Sequence, residues 1–346
     1  MNKVSKMVAR ARQVARKLLS EDVAGVVLFG SFAKGKVDEL SDLDIALIVK
    51  GGKLGLEEKF IDGIRVEIWR YDIKHFLHTF EDEEYRRRSD SWFISSLWIR
   101  LLREGLILED PYGLLSGWKR KALEWRWRKE EITPLIMKAE SCLDVAIKAY
   151  SRGRLFEGVV ALRDCCYNLA NAQIMACNRI PSVRPKDIYR EVEHLGFKKF
   201  FDSIQGLEGL ERSRIEHMLS NLEKLLERVW KESRGARTEY ENAVKSLARG
   251  ELEVALLNAR YSAFWIGCRI LRMRKKSMST GLYDAESHLK MLSELRDVGD
   301  FIEVYRKLHL VEEVSLEYLN KSIKLVKQML KGLAKLEFQP YRSQSP

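Results

Sequence analysis

Proline, histidine and cysteine are scarce in this chain: 6, 6 and 5 among 346 residues. None of the five cysteines (Cys142, Cys165, Cys166, Cys177, Cys268) forms a CxxC pair, which excludes the usual spacing of a zinc or dithiol redox site. All five fall in helix-like segments and read as core residues. No apolar run approaches the roughly 18 residues that a membrane span needs. Residues 1–20 are charged and amphipathic, without the apolar block of a signal peptide. No membrane partner and a cytoplasmic location are therefore expected. The chain is 46% hydrophobic, enough for a sizeable core, and at about 150 residues per domain its length points to two domains.

The net charge of +11 is unevenly placed. Residues 1–115 hold 19 Lys+Arg and 19 Asp+Glu, whereas residues 116–346 hold 42 and 31. The excess marks either a partner surface on the C-terminal part or a solvated basic face.

Along the chain, Val4, Met7, Val8, Ala11, Val14, Ala15 and Leu18 share one helical face. A β-branched run, residues 24–29, stops at Gly30 and reads as a buried strand; residues 43–49 read as a second, closed by Gly51-Gly52. A third, Ile64 to Trp69, puts Ile64, Val66 and Ile68 on one face and Arg65, Glu67 and Trp69 on the other. Residues 73–84 and 89–104 are helical by period, and residues 105–111 read as a short edge strand with a turn. The expected fold class is α+β: a small mixed-sheet domain over residues 1–115, then an all-α domain over residues 116–336. A duplication is expected within the latter, over about 140–235 and 237–336. Residues 146–153 (AIKAYSRG) align with 243–250 (AVKSLARG) at an offset of 97, and the register continues through Arg163/Arg260 and Tyr167/Phe264. Residues 337–346 are expected to be disordered.

The chemistry concentrates in residues 28–35 (LFGSFAKG) and 41–45 (SDLDI). A strand delivers Gly30-Ser31 at its end, where the missing Cβ of Gly30 admits a ligand oxygen and a helix starting at Ser31 would point free N–H groups, an arrangement suited to phosphate. Asp42 and Asp44 are two apart at the start of the second strand, so both project from one sheet face while Leu43 and Ile45 turn to the core. Glu67 lies on the charged face of the third strand. If that strand neighbours the second, three carboxylates converge beside the phosphate loop, and such a group of anions needs cations. Two Mg2+ ions would satisfy them and would support nucleotidyl transfer by in-line displacement at an α-phosphorus. Asp42 and Asp44 would bridge both ions, and Glu67 is the best-placed general base.

Gly-Ser, ten residues, then Asp-x-Asp with a later strand carboxylate resembles the signature of the DNA polymerase β-like nucleotidyltransferase superfamily. Residues 30–35 and 41–44 are similar to the pattern of its minimal nucleotidyltransferase branch. The resemblance covers residues 20–115 and implies that Lys34 sits over the triphosphate of an NTP substrate, ATP first among them. Many relatives have Asp where this chain has Glu67, although some antibiotic-modifying relatives use Glu. In minimal systems the helical partner is often of the HEPN type, with an Arg-x(4–6)-His ribonuclease motif. Arg212 and His217 fit that spacing, without the expected Tyr and between the two repeats. Kanamycin nucleotidyltransferase-like proteins also pair this domain with helices.

Residues 118–129 interleave Trp118, Trp125 and Trp127 with six basic residues, and residues 269–276 (RILRMRKK) form a second basic cluster. The first suits stacking on RNA or, equally, a core stripe with basic side chains pointing outward. The acceptor for the nucleotide is thus open between protein, RNA and a small molecule. A non-catalytic nucleotide-binding or antitoxin-like module is the competing class.

Overall fold

The computed structural model describes residues 3–35, 43–61, 64–88, 90–229, 233–276 and 283–334. It divides into two compact units, Met1–Glu131 and Ile132–Pro346.

The first unit contains helix α1 (Lys3–Leu18), strand β1 (Val23–Phe29), the one-turn helix α2 (Gly30–Ala33), β2 (Leu43–Val49), β3 (Gly55–Ile61), β4 (Ile64–Asp72), α3 (Ile73–Glu81), α4 (Glu83–Arg86), α5 (Ser91–Glu104), β5 (Leu106–Glu109) and α6 (Leu114–Glu124). The strands form one mixed sheet in the order β3-β4-β2-β1-β5. β2 and β4 are parallel, and the other three pairs are antiparallel. Val26, Leu28, Leu43, Ile45, Leu47, Val66 and Ile68 share one face and pack with Ala11, Val14 and Ala15 of α1. The period-2 alternation leaves Asp44, Glu67, Trp69 and Tyr71 on the opposite face. Trp98 of α5 covers the far end of that face, its ring 4.8 Å from Tyr71. Asp44 and Glu67, nearer the other end, are half-buried.

The hairpin strand β3 has no counterpart in the sequence reading. Gly55, Glu57, Glu58 and Lys59 weaken its strand signal, and Phe60 is 79% exposed. It is an edge strand held by its backbone pairing with β4.

The first unit also runs past the boundary expected near residue 115. Trp118 of α6 stacks on Phe76 and Phe80 of α3 and donates Nε1–H to Glu81 at 2.8 Å. The guanidinium of Arg86 sits over the Trp125 ring and binds Glu131. Trp118, Trp125 and Trp127 are 2, 7 and 6% exposed, so of the two readings of this segment the core stripe holds. These rings are not a stacking platform for bases. Trp118→Phe keeps the ring stacking but loses the bond to Glu81 and some filled volume. A loss of about 1–3 kcal/mol in urea unfolding is expected.

The second unit is all-α: α7 (Lys129–Ser151, starting just before the boundary), α8 (Leu155–Ala176), α9 (Pro185–His194), α10 (Lys198–Gln205), α11 (Arg212–Val229), α12 (Arg234–Ala248), α13 (Leu252–Met273), α14 (Ala285–Glu294), α15 (Asp300–Leu308) and α16 (Leu316–Ala334), with a 3-10 turn at Val311–Glu313. α8 and α13 have 22 residues each and start 97 residues apart, the offset expected for a duplication. The two long helices share one core. Cys142, Cys165, Cys166 and Cys268 are buried in it, but Cys177 lies just past the end of α8 and is exposed, which corrects its assignment as a core residue. Arg212 pairs with Glu216 on α11, and Arg212 and His217 are both exposed. Five positions apart on a helix, their side chains diverge by about 140°, so the two do not converge on one site. Residues 335–346, with the expected disordered tail, lie outside the described residues.

Arg163 and Arg260, ninth residues of α8 and α13, are both buried. Arg163 donates to the carbonyl of His309, and Arg260 donates to those of Leu308 and Gln205. These carbonyls end α15 and α10, where the helix dipole is negative. Burial, then the charges of Arg163 and Arg260, hold His309 well below its ordinary value of 6.5, so the folded chain keeps it neutral. The unfolded chain binds that proton more readily. The stabilising contribution is therefore complete above about pH 6.5 and is lost as pH falls below it. The urea midpoint is expected to drop between pH 7.5 and 5.5, and His309→Gln to flatten that dependence.

Candidate active site

The site is assembled by strand register. Phe29 of β1 opposes Asp44 of β2, Asp44 opposes Glu67 of β4, and Glu67 opposes Glu58 of β3. Asp44 and Glu67 are thus direct cross-strand neighbours on one sheet face, the adjacency the sequence reading required. Asp42, the other member of the expected trio, lies outside the described residues. Among the described residues no group of three His, Cys, Asp or Glu side chains could hold a metal ion.

Gly30 closes the row from the β1 side. Its φ is +72°, and a Cβ built on it would lie 2.0 Å from Oδ2 of Asp44. The position tolerates no side chain for two separate reasons, left-handed backbone and contact with the carboxylate. Ser31 follows on α2 and is half-buried. The helix begins at Gly30, one residue earlier than expected, and spans four residues. Any phosphate contact here would come from individual N–H groups, since one turn has little macrodipole.

Lys34 is engaged by another carboxylate: its Nζ is 2.7 Å from Oε2 of Glu104, at the end of α5. Engaging a triphosphate would require it to leave that partner. Two residues of the row were given no role by the sequence. Arg65 places Nη2 3.3 Å from Oε1 of Glu67 and 3.3 Å from Oε2 of Glu58, bridging both carboxylates. Arg65 could be placed from its spacing, two before Glu67 on the same strand face, and was placed there, without a role. Glu58 could not, because β3 itself was not recognised.

A mixed sheet carrying Gly-Ser at one strand end and a carboxylate pair across the next two strands defines a class. Residues 9–99 match the family described as nucleotidyltransferase domain, so the chain carries a nucleotidyltransferase domain at its N-terminus. Among solved structures it is similar to a nucleotidyltransferase-like protein from Exiguobacterium sibiricum 255-15, with 11% identity over 86% of this chain and 90% of that one and a TM-score of 0.38. No curated protein matches.

Proposed function

We propose that this chain is a divalent-metal-dependent nucleotidyltransferase that moves a nucleoside monophosphate, AMP from ATP first among them, to an acceptor hydroxyl on a protein, an RNA or a small molecule. The observation that carries the reading is the cross-strand pair Asp44–Glu67 set against the side-chain-free wall of Gly30. This cradle fits a cation. Its donors are carboxylates, the hard oxygen ligands that Mg2+ takes, and a Cβ at residue 30 would fill space beside Asp44. Asp44 and Glu67, with Asp42, would hold Mg2+, which when bound neutralises phosphate charge and acidifies the attacking hydroxyl.

The chain's own residues then orient and exchange protons. The N–H groups at Gly30 and Ser31 would bind phosphate oxygens, and the Ser31 hydroxyl would add a donor. Glu67 is the base candidate, accepting the acceptor's proton at a carboxylate oxygen. Arg65 must release Glu67 for that role, and its second partner, Glu58, remains available to hold it.

The test is incubation of the full chain with Mg2+ and each of the four α-labelled NTPs, alone and with cell RNA or small alcohols, followed by identification of the labelled fraction. Label on protein, RNA or a small molecule supports transfer and names the acceptor. Transfer to RNA should weaken steeply with salt, because phosphate contacts release counterions. Absence of label from every fraction, with nucleotide binding unchanged in Asp42→Ala/Asp44→Ala, would favour a binding module.

A further inference from the structure

The matched faces of α8 and α13 enclose a cavity of about 30 Å3, lined among others by Arg163, Asp164, Arg260, Tyr305, His288 and His309. Arg163, Arg260 and His309 are 2, 5 and 5% exposed. Two buried guanidiniums this close are electrostatically costly unless an anion accompanies them. Among the described residues neither forms an ion pair with a carboxylate. The one carboxylate lining the cavity, Asp164, lies 3.1 Å from Nδ1 of His288, whose Nε2 contacts the hydroxyl of Tyr305. Burial lowers the pKa of both arginines, and the charge of Arg163 lowers that of Arg260 further.

Helix-end carbonyls occupy part of each guanidinium, which accounts for a structural role. They leave a remainder. Nε of Arg163, Nη2 of Arg260 and Nε2 of His309 are buried without a hydrogen-bond partner. Nδ1 of His309 is 2.9 Å from Nη1 of Arg163 and must accept there, so the proton of the neutral ring is assigned to Nε2. Three donors without a partner therefore belong to residues that line one cavity, and a buried donor left unmet is costly. The amide Oε1 of Gln205, also on the lining, is unpaired too and can accept from a protonated oxyanion.

Size limits the guest. At roughly 10–15 Å3 per water, the cavity admits the bulk of a small tetrahedral oxyanion but not a base or a ribose. We propose that this cavity is a binding site for a phosphate-sized oxyanion, either free or as a phosphoryl group whose remainder stays outside, held by Arg163, Arg260 and His309. Arg163 and Arg260 hold the same position along α8 and α13, whereas Gly206 follows the end of α10 and His309 that of α15.

The experiment is hydrogen exchange with mass spectrometry on the full chain carrying Asp44→Ala and Glu67→Ala, which disables the N-terminal site. Inorganic phosphate, AMP and ATP are compared with sodium chloride at equal ionic strength. At an anion concentration ten times its Kd, exchange through α8, α13 and the ends of α10 and α15 should slow about tenfold. Protection by inorganic phosphate identifies the free ion, and protection by AMP or ATP alone identifies a nucleotide's phosphoryl group; both support the site. No protection of α8 and α13 by any of the three overturns it, whatever becomes of nucleotidyl transfer. Adding Arg260→Met should abolish the protection, and unchanged protection in that variant also overturns it. Should that variant fail to fold, the comparison of anions still decides.

Discussion

Asp44→Asn is expected to lower kcat/KM for nucleotidyl transfer by at least about 10^3-fold, some 4 kcal/mol of transition-state stabilisation, while the thermal melt stays within a few degrees. The amide keeps the shape of the side chain but removes the negative charge that would hold a cation between β2 and β4. Asp44 is half-buried, and its neighbours Leu43 and Ile45 carry the packing. The isosteric amide leaves that packing in place. The measurement pairs label transfer with circular dichroism. Activity within tenfold of the unmodified chain would mean that the chemistry does not use the β2 carboxylate, and the proposed function would fall with it.

The second large effect is expected at Gly30, with Gly35 as the internal control. Both are left-handed, with φ of +72° and +67°. An alanine at either position costs about 1–2 kcal/mol for that backbone conformation. At Gly35 nothing lies within 4 Å of the added methyl, whereas at Gly30 it would sit 2.0 Å from the Asp44 carboxylate. Gly35→Ala should thus lose about 1–2 kcal/mol in urea unfolding. Gly30→Ala should lose about 3 kcal/mol or more, and with it transfer activity, because Asp44 must swing out of the row. Equal stability losses for the two alanines would show that the contact with Asp44 is easily relieved, and the tight cradle would have to be given up.

What could be read in advance follows from where burial leaves a pattern. β1, β2 and β4 have at least one covered face, and their alternation or apolar runs show it; the Gly30–Asp44–Glu67 row is a direct consequence of that periodicity. β3 has no covered face and hence no pattern. Trp118 and Trp125 are seven apart, one helical face, which any amphipathic helix would show, and contact with Phe76, Phe80 and Arg86 decides what they do. The alignment of Arg163 with Arg260 was visible as a repeat, but their shared burial was not. It depends on the ends of α10 and α15 meeting the two arginines from 48 to 146 residues away along the chain.

The bridge formed by Arg65 changes what an acidic row implies for the life of the protein. Its guanidinium lies between Glu58 and Glu67 and stands in for part of the positive charge that a bound cation would bring. If the row binds a cation as proposed, the ion exchanges with a counter-charge already in place, and this edge of the sheet needs no metal in order to fold.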